Sequence, residues 1–305
     1  MQADILEAVF NRLSTTINET GIVDDYRELL LSVVIQSIRR YQFRSEDKWL
    51  AITLPELWCV GLGGESQRVV GVTAAWFLLQ LAAFWLDKVE DDELDQTILA
   101  TLGVGPVSNL ATGLIFLSQW ILNRLEIDDG IDSSTAADIR AMFSTSILNV
   151  CGGQHIDLTA KNCLLEQVWN SFKLKSGLFF ALACFAGARL ATNDPKSLNA
   201  CLEYGTNLGV LLQIADERED LSKEVPDLWN SSNIFNAYFH EVMSSGLLKK
   251  KDHFANSISS FRSGLQVYLN VQSHTLWRSG MAAIDDIQAE LKTRPDLVRL
   301  LSQSV

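Results

Sequence analysis

The sequence predicts an all-α protein, a bundle of helices around a central cavity, and three observations carry that reading. Apolar residues recur at i, i+3, i+4 and i+7 through almost every segment, the spacing of helices with one face turned inward. No run alternates with period two between turn signals, so no strand-turn-strand pattern competes. Two stretches, 69–86 and 208–215, carry no charged residue and each runs straight into a cluster of acids. Helices apolar on all sides are buried, and side chains that project inward from facing helices are how bundles build sites.

Taken in order, the periodicity predicts helices over 3–18, 23–42, 54–62, 66–91, 106–124, 133–151, 162–170, 173–191, 196–220, 230–245, 252–274 and 283–303. Asp132-Ser-Ser-Thr and Asp194-Pro-Lys-Ser read as helix starts with capping residues. Gly61-Leu-Gly-Gly, Gly103-Val-Gly-Pro and Asp128-Asp-Gly-Ile read as loops. No internal repeat and no Pro-, Gly- or Ser-rich linker divides the 305 residues, so one domain spanning 1–305 is expected. The 69–86 stretch is long enough to ask whether it spans a membrane. Thr73 and Gln80 interrupt it and the acid run Asp87–Asp95 follows without a basic flank, which favours a buried core helix and no transmembrane segment.

Composition narrows the function. A hydrophobic share of 48% with 20% charged residues and only 5 Pro describes a folded chain with a sizeable core. The net charge of −12 and the lack of a basic stripe argue against nucleic acid, whose phosphates are bound through lysines and arginines. Cys59, Cys151, Cys163, Cys184 and Cys201 are odd in number and form no C-x-x-C pair, so they read as reduced thiols of a cytoplasmic protein. The opening Met1-Gln-Ala-Asp-Ile-Leu-Glu is amphipathic with early acids, unlike a signal peptide.

The chemistry sits in the acid clusters, Asp87-Lys-Val-Glu-Asp91 and Asp216-Glu217-Arg-Glu-Asp220. In each, the first and last Asp stand at i and i+4, which puts both carboxylates on one helix face about a turn apart. Carboxylates at the inner ends of two buried helices need a compensating partner. A hard divalent cation is that partner: Mg²⁺ takes oxygen ligands, keeps several waters and bridges to substrate phosphates. A diphosphate substrate completes the reading, with Asp87, Asp91, Asp216, Glu217 and Asp220 as the metal ligands.

These residues, together with others in the same order, resemble the trans-isoprenyl diphosphate synthase (polyprenyl synthetase) family. The matching motifs are Asp87-Lys-Val-Glu-Asp91, Gly153-Gln154, Lys175-Ser176-Gly177, Tyr204-Gly-Thr-Asn-Leu-Gly209 and Gln213-Ile-Ala-Asp216-Glu217-Arg-Glu-Asp220. A looser match is Lys223-Glu-Val-Pro-Asp227-Leu. The resemblance implies an all-α, isoprenoid-synthase-type antiparallel helical bundle around a central apolar cavity, a homodimer in which Mg²⁺, up to three ions per site, binds and ionises an allylic prenyl diphosphate. It implies that Lys175 adds a cationic donor to the leaving group, that Gln154 and Gln213 supply uncharged hydrogen bonds, and that Lys223 joins the substrate site. A carbocation needs a dry apolar wall, which Trp76, Phe77, Ala83 and Phe84 on the helix ahead of Asp87 are placed to give; ordinary core packing accounts for these aromatics equally well. Ala82 and Ala83, five and four positions before Asp87, are small, as in family members with a deep cavity.

The departures from the family pattern bear on the reaction. Chain-elongating members hold isopentenyl diphosphate with a Gly-Lys-x-x-Arg-Pro stretch and with an Arg-Arg pair after the first acid motif. Here the early stretch reads Ser45-Glu-Asp-Lys48-Trp-Leu-Ala-Ile-Thr-Leu-Pro55, and Asp91 is followed by Asp-Glu-Leu-Asp-Gln-Thr-Ile-Leu-Ala. A second diphosphate would lose most of its charge-assisted donors. Lys88 stands where the family has its second Asp, and either neutralises the metal site or points away from it. The runs Gly153-Gln154-His155-Ile-Asp157-Leu-Thr and Leu174-Lys175-Ser-Gly-Leu-Phe-Phe-Ala are similar to the ComQ-type branch, whose members prenylate a peptide tryptophan. The expected activity is prenyl transfer to an acceptor left open, a peptide or a small molecule. The alternatives are a terpene cyclase or diphosphate lyase, and a non-catalytic partner subunit of a prenyl synthase.

Overall fold

The computed structural model describes residues 2–42, 52–96, 99–159, 164–221, 233–245, 254–287 and 291–305, and among them every regular element is helical. The chain divides into two compact units, one made of 1–142, 185–194 and 289–296, the other of 143–184, 195–288 and 297–305.

The first unit contains α1 (Gln2–Glu19), α2 (Asp24–Gln42), α3 (Leu54–Gly61), α4 (Val70–Glu90), α5 (Val104–Leu122) and the short α6 (Leu125–Asp128), followed by the start of α7 (Ser133–Thr159). Its centre is α4, entered through a 3₁₀ turn at Ser66–Val69. Val72, Thr73, Ala74, Ala75, Trp76, Phe77 and Leu78 are all buried, as a helix apolar on every side must be. It packs along α5 and against α1. Two charged groups tie segments of this unit together. Arg12 pairs with Asp128 at 2.8 Å and Asp129 at 3.2 Å, and burial pushes the Asp129 carboxyl up while Arg12 opposes that rise. Arg189 bonds Asp138 at 2.9 Å and Thr135 Oγ1 at 2.8 Å. The start of α7 is capped as its sequence predicts, with Asp132 Oδ1 accepting from the Thr135 N–H at 3.0 Å.

The second unit contains the rest of α7, then α8 (Leu165–Phe172), which passes through a π-helical turn at Lys173–Gly177 into α9 (Leu178–Ala191), a helix whose residues from Phe185 on belong to the first unit. α10 (Pro195–Asp220), α11 (Asn233–Ser244), α12 (Phe254–Asp285) and most of α13 (Arg294–Gln303) complete it. α10 packs along α12, and a core of Val168, Phe172, Val210, Ile214, Phe235, Phe261, Leu265 and Leu269 lies beneath. The Tyr204-Gly-Thr-Asn-Leu-Gly209 motif is a packing device in this unit. A Cβ on Gly205 would stand 2.5 Å from Ala181 Cα, and one on Gly209 would stand 2.2 Å from the Ser176 carbonyl oxygen. Tyr204 is fully buried and donates to the Leu297 carbonyl at 2.8 Å.

Several boundaries differ from expectation. α7 continues to Thr159, past the expected end at 151, because its interior Gly152-Gly153 pair is tolerated where α8 and the π turn press close: a Cβ on Gly153 would stand 2.5 Å from the Lys175 nitrogen. The expected 283–303 helix is two elements, since α12 ends at Asp285 and α13 starts at Arg294. Pro295 accounts for the restart, because proline suits a first helical turn, where no N–H partner is needed. Val104-Gly-Pro106 belongs to the first turn of α5, and only Gly103, at φ 79°, stays in the turn before it. Two helical stretches, Ser66–Glu90 and Leu165–Ala191, are long and apolar enough to cross a membrane, and 78% and 61% of their most apolar windows are buried inside the protein.

Gly209→Ala should cost about 1–3 kcal/mol, the usual penalty for overpacking a closed crossing. The check is a urea denaturation midpoint, and an unchanged midpoint would refute the close approach.

Candidate functional site

The first acid motif is the C-terminal end of α4. The helix stops at Glu90, Asp91 caps it with φ −88° and ψ 3°, and the Asp91 N–H still bonds the Asp87 carbonyl at 2.9 Å. Asp92 then takes φ 57°, a left-handed conformation that Asp tolerates better than most residues. The Asp92 N–H reaches Val89 O at 3.3 Å and the Glu93 N–H reaches Lys88 O at 2.9 Å, the two bonds of a Schellman ending. This turn folds Glu93 back along the helix, and its carboxylate pairs with Lys88 Nζ. The ammonium that replaces a family acid is thus held by an acid five residues on.

The second motif is the C-terminal end of α10. Asp216 is exposed, Glu217 is buried with 8% of its surface accessible, and Asp220 is half-buried. Arg218 points to α12 instead, donating to Asn270 Oδ1 at 2.8 Å, to Ser273 Oγ at 2.9 Å and to the Val305 carbonyl. Burial lowers its pKa from the ordinary guanidinium value. Each motif therefore carries one basic residue, and each has a partner outside the motif, Glu93 for Lys88 and α12 for Arg218. The expectation that the motif carboxylates are buried holds for Glu217 alone, since Asp91 and Asp216 are exposed. These acids stand at helix ends, where apolar packing has run out.

The remaining predicted residues fall as follows. Lys175 sits in the π turn, with Nζ 3.1 Å from Asp157 Oδ2. Gln213 Oε1 accepts from Ser176 Oγ at 2.8 Å, and Gln154 is half-buried one turn before Asp157 on α7. Trp76 and Phe77 are fully buried, Ala83 is half-buried and Phe84 is 43% exposed, edge-on to Trp85. Phe77 borders a cavity of about 10 Å³ with Leu6, Val9, Ile38 and Ile52. Lys223, Asp227 and the 45–51 stretch lie outside the described residues. His155, His240 and His274 are exposed, as is Cys151, whereas Cys59, Cys184 and Cys201 are buried; burial pushes the Cys59 thiol up to about 11. Sequence reasoning gave no role to Asp157 or Asn233, although the Gly153-Gln154-x-x-Asp157 run was the available signal.

Mg²⁺ suits this donor set in its chemistry. All the ligands are carboxylate oxygens, and Asp91 and Asp216 are open to solvent, which leaves room for the waters and phosphate oxygens that Mg²⁺ keeps. Both motifs end helices, where the backbone dipole is negative and favours a cation. Among the described residues no three His, Cys, Asp or Glu side chains draw together into one cluster, so each motif offers a partial ligand set.

Residues 52–228 match the family model described as polyprenyl synthetase. A short chain isoprenyl diphosphate synthase of Methanothermobacter thermautotrophicus is 25% identical over 173 residues, 55% of this chain and 52% of that protein. The chain thus spans about half the length of the curated relatives it matches. Among solved structures, a geranylgeranyl pyrophosphate synthetase of the archaeon Geoglobus acetivorans superposes with a TM-score of 0.77 at 15% identity, over 100% of this chain and 98% of that one. A geranylgeranyl pyrophosphate synthase of Corynebacterium glutamicum complexed with isoprenyl diphosphate and magnesium gives 0.67 at 17% identity, over 98% of each. The shared fold is that of the isoprenoid-synthase helical bundles.

Glu93→Gln should release Lys88 towards the Asp87 and Asp91 carboxylates and weaken Mg²⁺ binding about fivefold, the effect of roughly 1 kcal/mol from one solvated charge. Titration calorimetry checks it, and adding Lys88→Ala should restore the affinity. Unchanged binding in Glu93→Gln would show that the ion pair has no bearing on the motif.

Proposed function

The chain belongs to the polyprenyl synthetase family, and we propose that it is a Mg²⁺-dependent prenyltransferase that ionises an allylic prenyl diphosphate and hands the prenyl group to an acceptor other than isopentenyl diphosphate. The observation that carries the reading is the pair of acid motifs ending α4 and α10, both inside the matched region. Breaking the allylic C–O bond leaves a carbocation and places the bonding electrons on diphosphate. When bound, Mg²⁺ offsets that growing negative charge as a Lewis acid. Asp87, Asp91, Asp216, Glu217 and Asp220 hold it, as one domain over 1–305.

The chain's own residues do the rest. Lys175 donates a charged hydrogen bond to the departing diphosphate. Gln154 and Gln213 donate uncharged ones through their amides, and the Ser176 hydroxyl fixes the Gln213 carboxamide at 2.8 Å so that its NH₂ is turned outward from that bond. Lys223 joins them. Phe77, Ala83 and Phe84 lie up the helix from Asp87 and serve the prenyl tail, where apolar walls keep water from the cation. The acidic run after Asp91 offers a second diphosphate no positively charged donors, which supports an acceptor that is a peptide or a small molecule. A cytoplasmic setting is part of the proposal, and reduced, buried Cys59, Cys184 and Cys201 suit it.

A homodimer is part of the proposal. On α5, Phe116 is 69% exposed and Trp120 45% exposed, one turn apart, and large adjacent apolar side chains on a surface mark an interaction face.

Incubation with Mg²⁺ and geranyl, farnesyl or geranylgeranyl diphosphate, with and without isopentenyl diphosphate, should release pyrophosphate without lengthening the chain. Chelation should abolish release, and Asp87→Asn or Asp216→Asn should lower it by about 100-fold, since metal-borne charge stabilisation is worth several kcal/mol. Silence across all three donors would refute the activity; with no acceptor added, water takes the prenyl cation and gives the linear alcohol, whereas cyclic or hydrocarbon products would move it to a cyclase or lyase. For the dimer, Phe116→Glu with Trp120→Glu should halve the mass seen by light scattering, and a wild-type monomer would refute it.

A further inference from the structure

The second unit holds a polar ladder that no site role has yet absorbed. Asn233 opens α11, the helix that resumes after the second acid motif. Its Nδ2 donates twice to one residue, to Asp157 Oδ1 at 2.8 Å and to the Asp157 carbonyl at 2.9 Å. The other oxygen of the same carboxylate, Asp157 Oδ2, takes Lys175 Nζ at 3.1 Å. An amide that grips both the side chain and the backbone of an aspartate fixes the carboxylate plane, and a fixed carboxylate fixes the ammonium.

Lys175 also lies in the π turn of Lys173–Gly177, a local widening of a helix that recurs at functional sites. The backbone there is clamped on two sides. Gly153 leaves no room for a Cβ against the Lys175 nitrogen, and Gly209 leaves none against the Ser176 carbonyl. Ser171 Oγ adds a bond to the Gly153 carbonyl at 3.0 Å. The lysine's stem is therefore anchored by packing, while its flexible end is set by Asp157 and Asn233. A side chain with four rotatable bonds otherwise spends affinity on ordering itself at each binding event.

We propose that Asn233 and Asp157 are positioning residues that hold the Lys175 ammonium ready for the diphosphate. This rests on the functional reading above. Asp157 takes up the ammonium's charge when the site is empty, and the diphosphate shares it when the site is filled. The ladder also links α11 to α7, so the chain on the far side of the acid motif is tied to the lysine that serves the same ligand.

The experiment acetylates lysines of the intact protein with a limiting amount of an N-hydroxysuccinimide ester, reading Lys175 by peptide mass spectrometry against the exposed Lys196. Asn233→Ala and Asp157→Asn should each speed Lys175 labelling several-fold and leave Lys196 unchanged. Pyrophosphate with Mg²⁺ should protect Lys175 in wild type. Its affinity by calorimetry should fall about tenfold in Asn233→Ala, the worth of one well-placed hydrogen bond, with KM for geranyl diphosphate rising in step and kcat little changed. Asn233→Gln, which keeps the amide and serves where the alanine variant loses its helical signal, should retain most of the affinity. In a Lys175→Ala background, Asn233→Ala should have no further effect. An unchanged Lys175 labelling rate, or an equal affinity loss in the Lys175→Ala background, overturns the proposal. Freed labelling without any pyrophosphate binding in wild type sinks the functional reading and the diphosphate role with it.

Discussion

Carboxylates placed at the C-terminal ends of apolar helices are the constraint on which the site depends. The last carbonyls of a helix carry a partial negative charge, and α4 and α10 each finish in acids rather than in the lysines and arginines that would suit that end. Such an arrangement is unfavourable by itself, by some tenths of a kcal/mol per charge where water screens it. It becomes favourable when a cation arrives. The basic residue in each final turn has partners outside the motif as well, Glu93 for Lys88 and Asn270 and Ser273 for Arg218.

Small residues let the polar groups be held so firmly. Gly205 and Gly209 bring α10 against the backbone of the π turn and of α9, and that approach is what allows Ser176 Oγ to reach Gln213. Gly153 does the same for α7 and the Lys175 backbone. Substituting any of these would shift a side chain the proposed reaction uses, since packed interiors transmit displacements rather than absorb them. Stability and chemistry are coupled here through backbone contact.

The sequence made the helices legible because a period of 3.6 is written on every segment, and the unbroken apolar runs before the acid clusters marked the most buried one, α4. It marked the helix starts at Asp132 and Asp194 through their capping residues but missed one restart. The expected 283–303 helix is broken between Asp285 and Arg294, and Pro295, fit for a first turn, was the mark that could have shown it. The acid motifs were legible as i, i+4 pairs. Their surroundings were not, since Lys88 is answered by Glu93 only once Asp92 has taken a left-handed turn, and nothing in a side-chain pattern announces that. The Asp157 and Asn233 contact joins positions far apart in the chain, so spacing gave no hint of it.

The acidic run after Asp91 argues, in the proposed reaction, for one diphosphate at a time. In the proposed reaction, Lys175 is shared between Asp157 and the leaving group, and Lys88 is held by Glu93. A second diphosphate adds two or more negative charges, each needing charge-assisted donors to leave water. The turn after Asp91 supplies Asp92, Glu93 and Asp95 instead, and Glu93 there pairs with Lys88. An acceptor without a diphosphate meets no such repulsion. The same residues that weaken the resemblance to chain-elongating synthases are therefore what an uncharged acceptor would find easiest to approach.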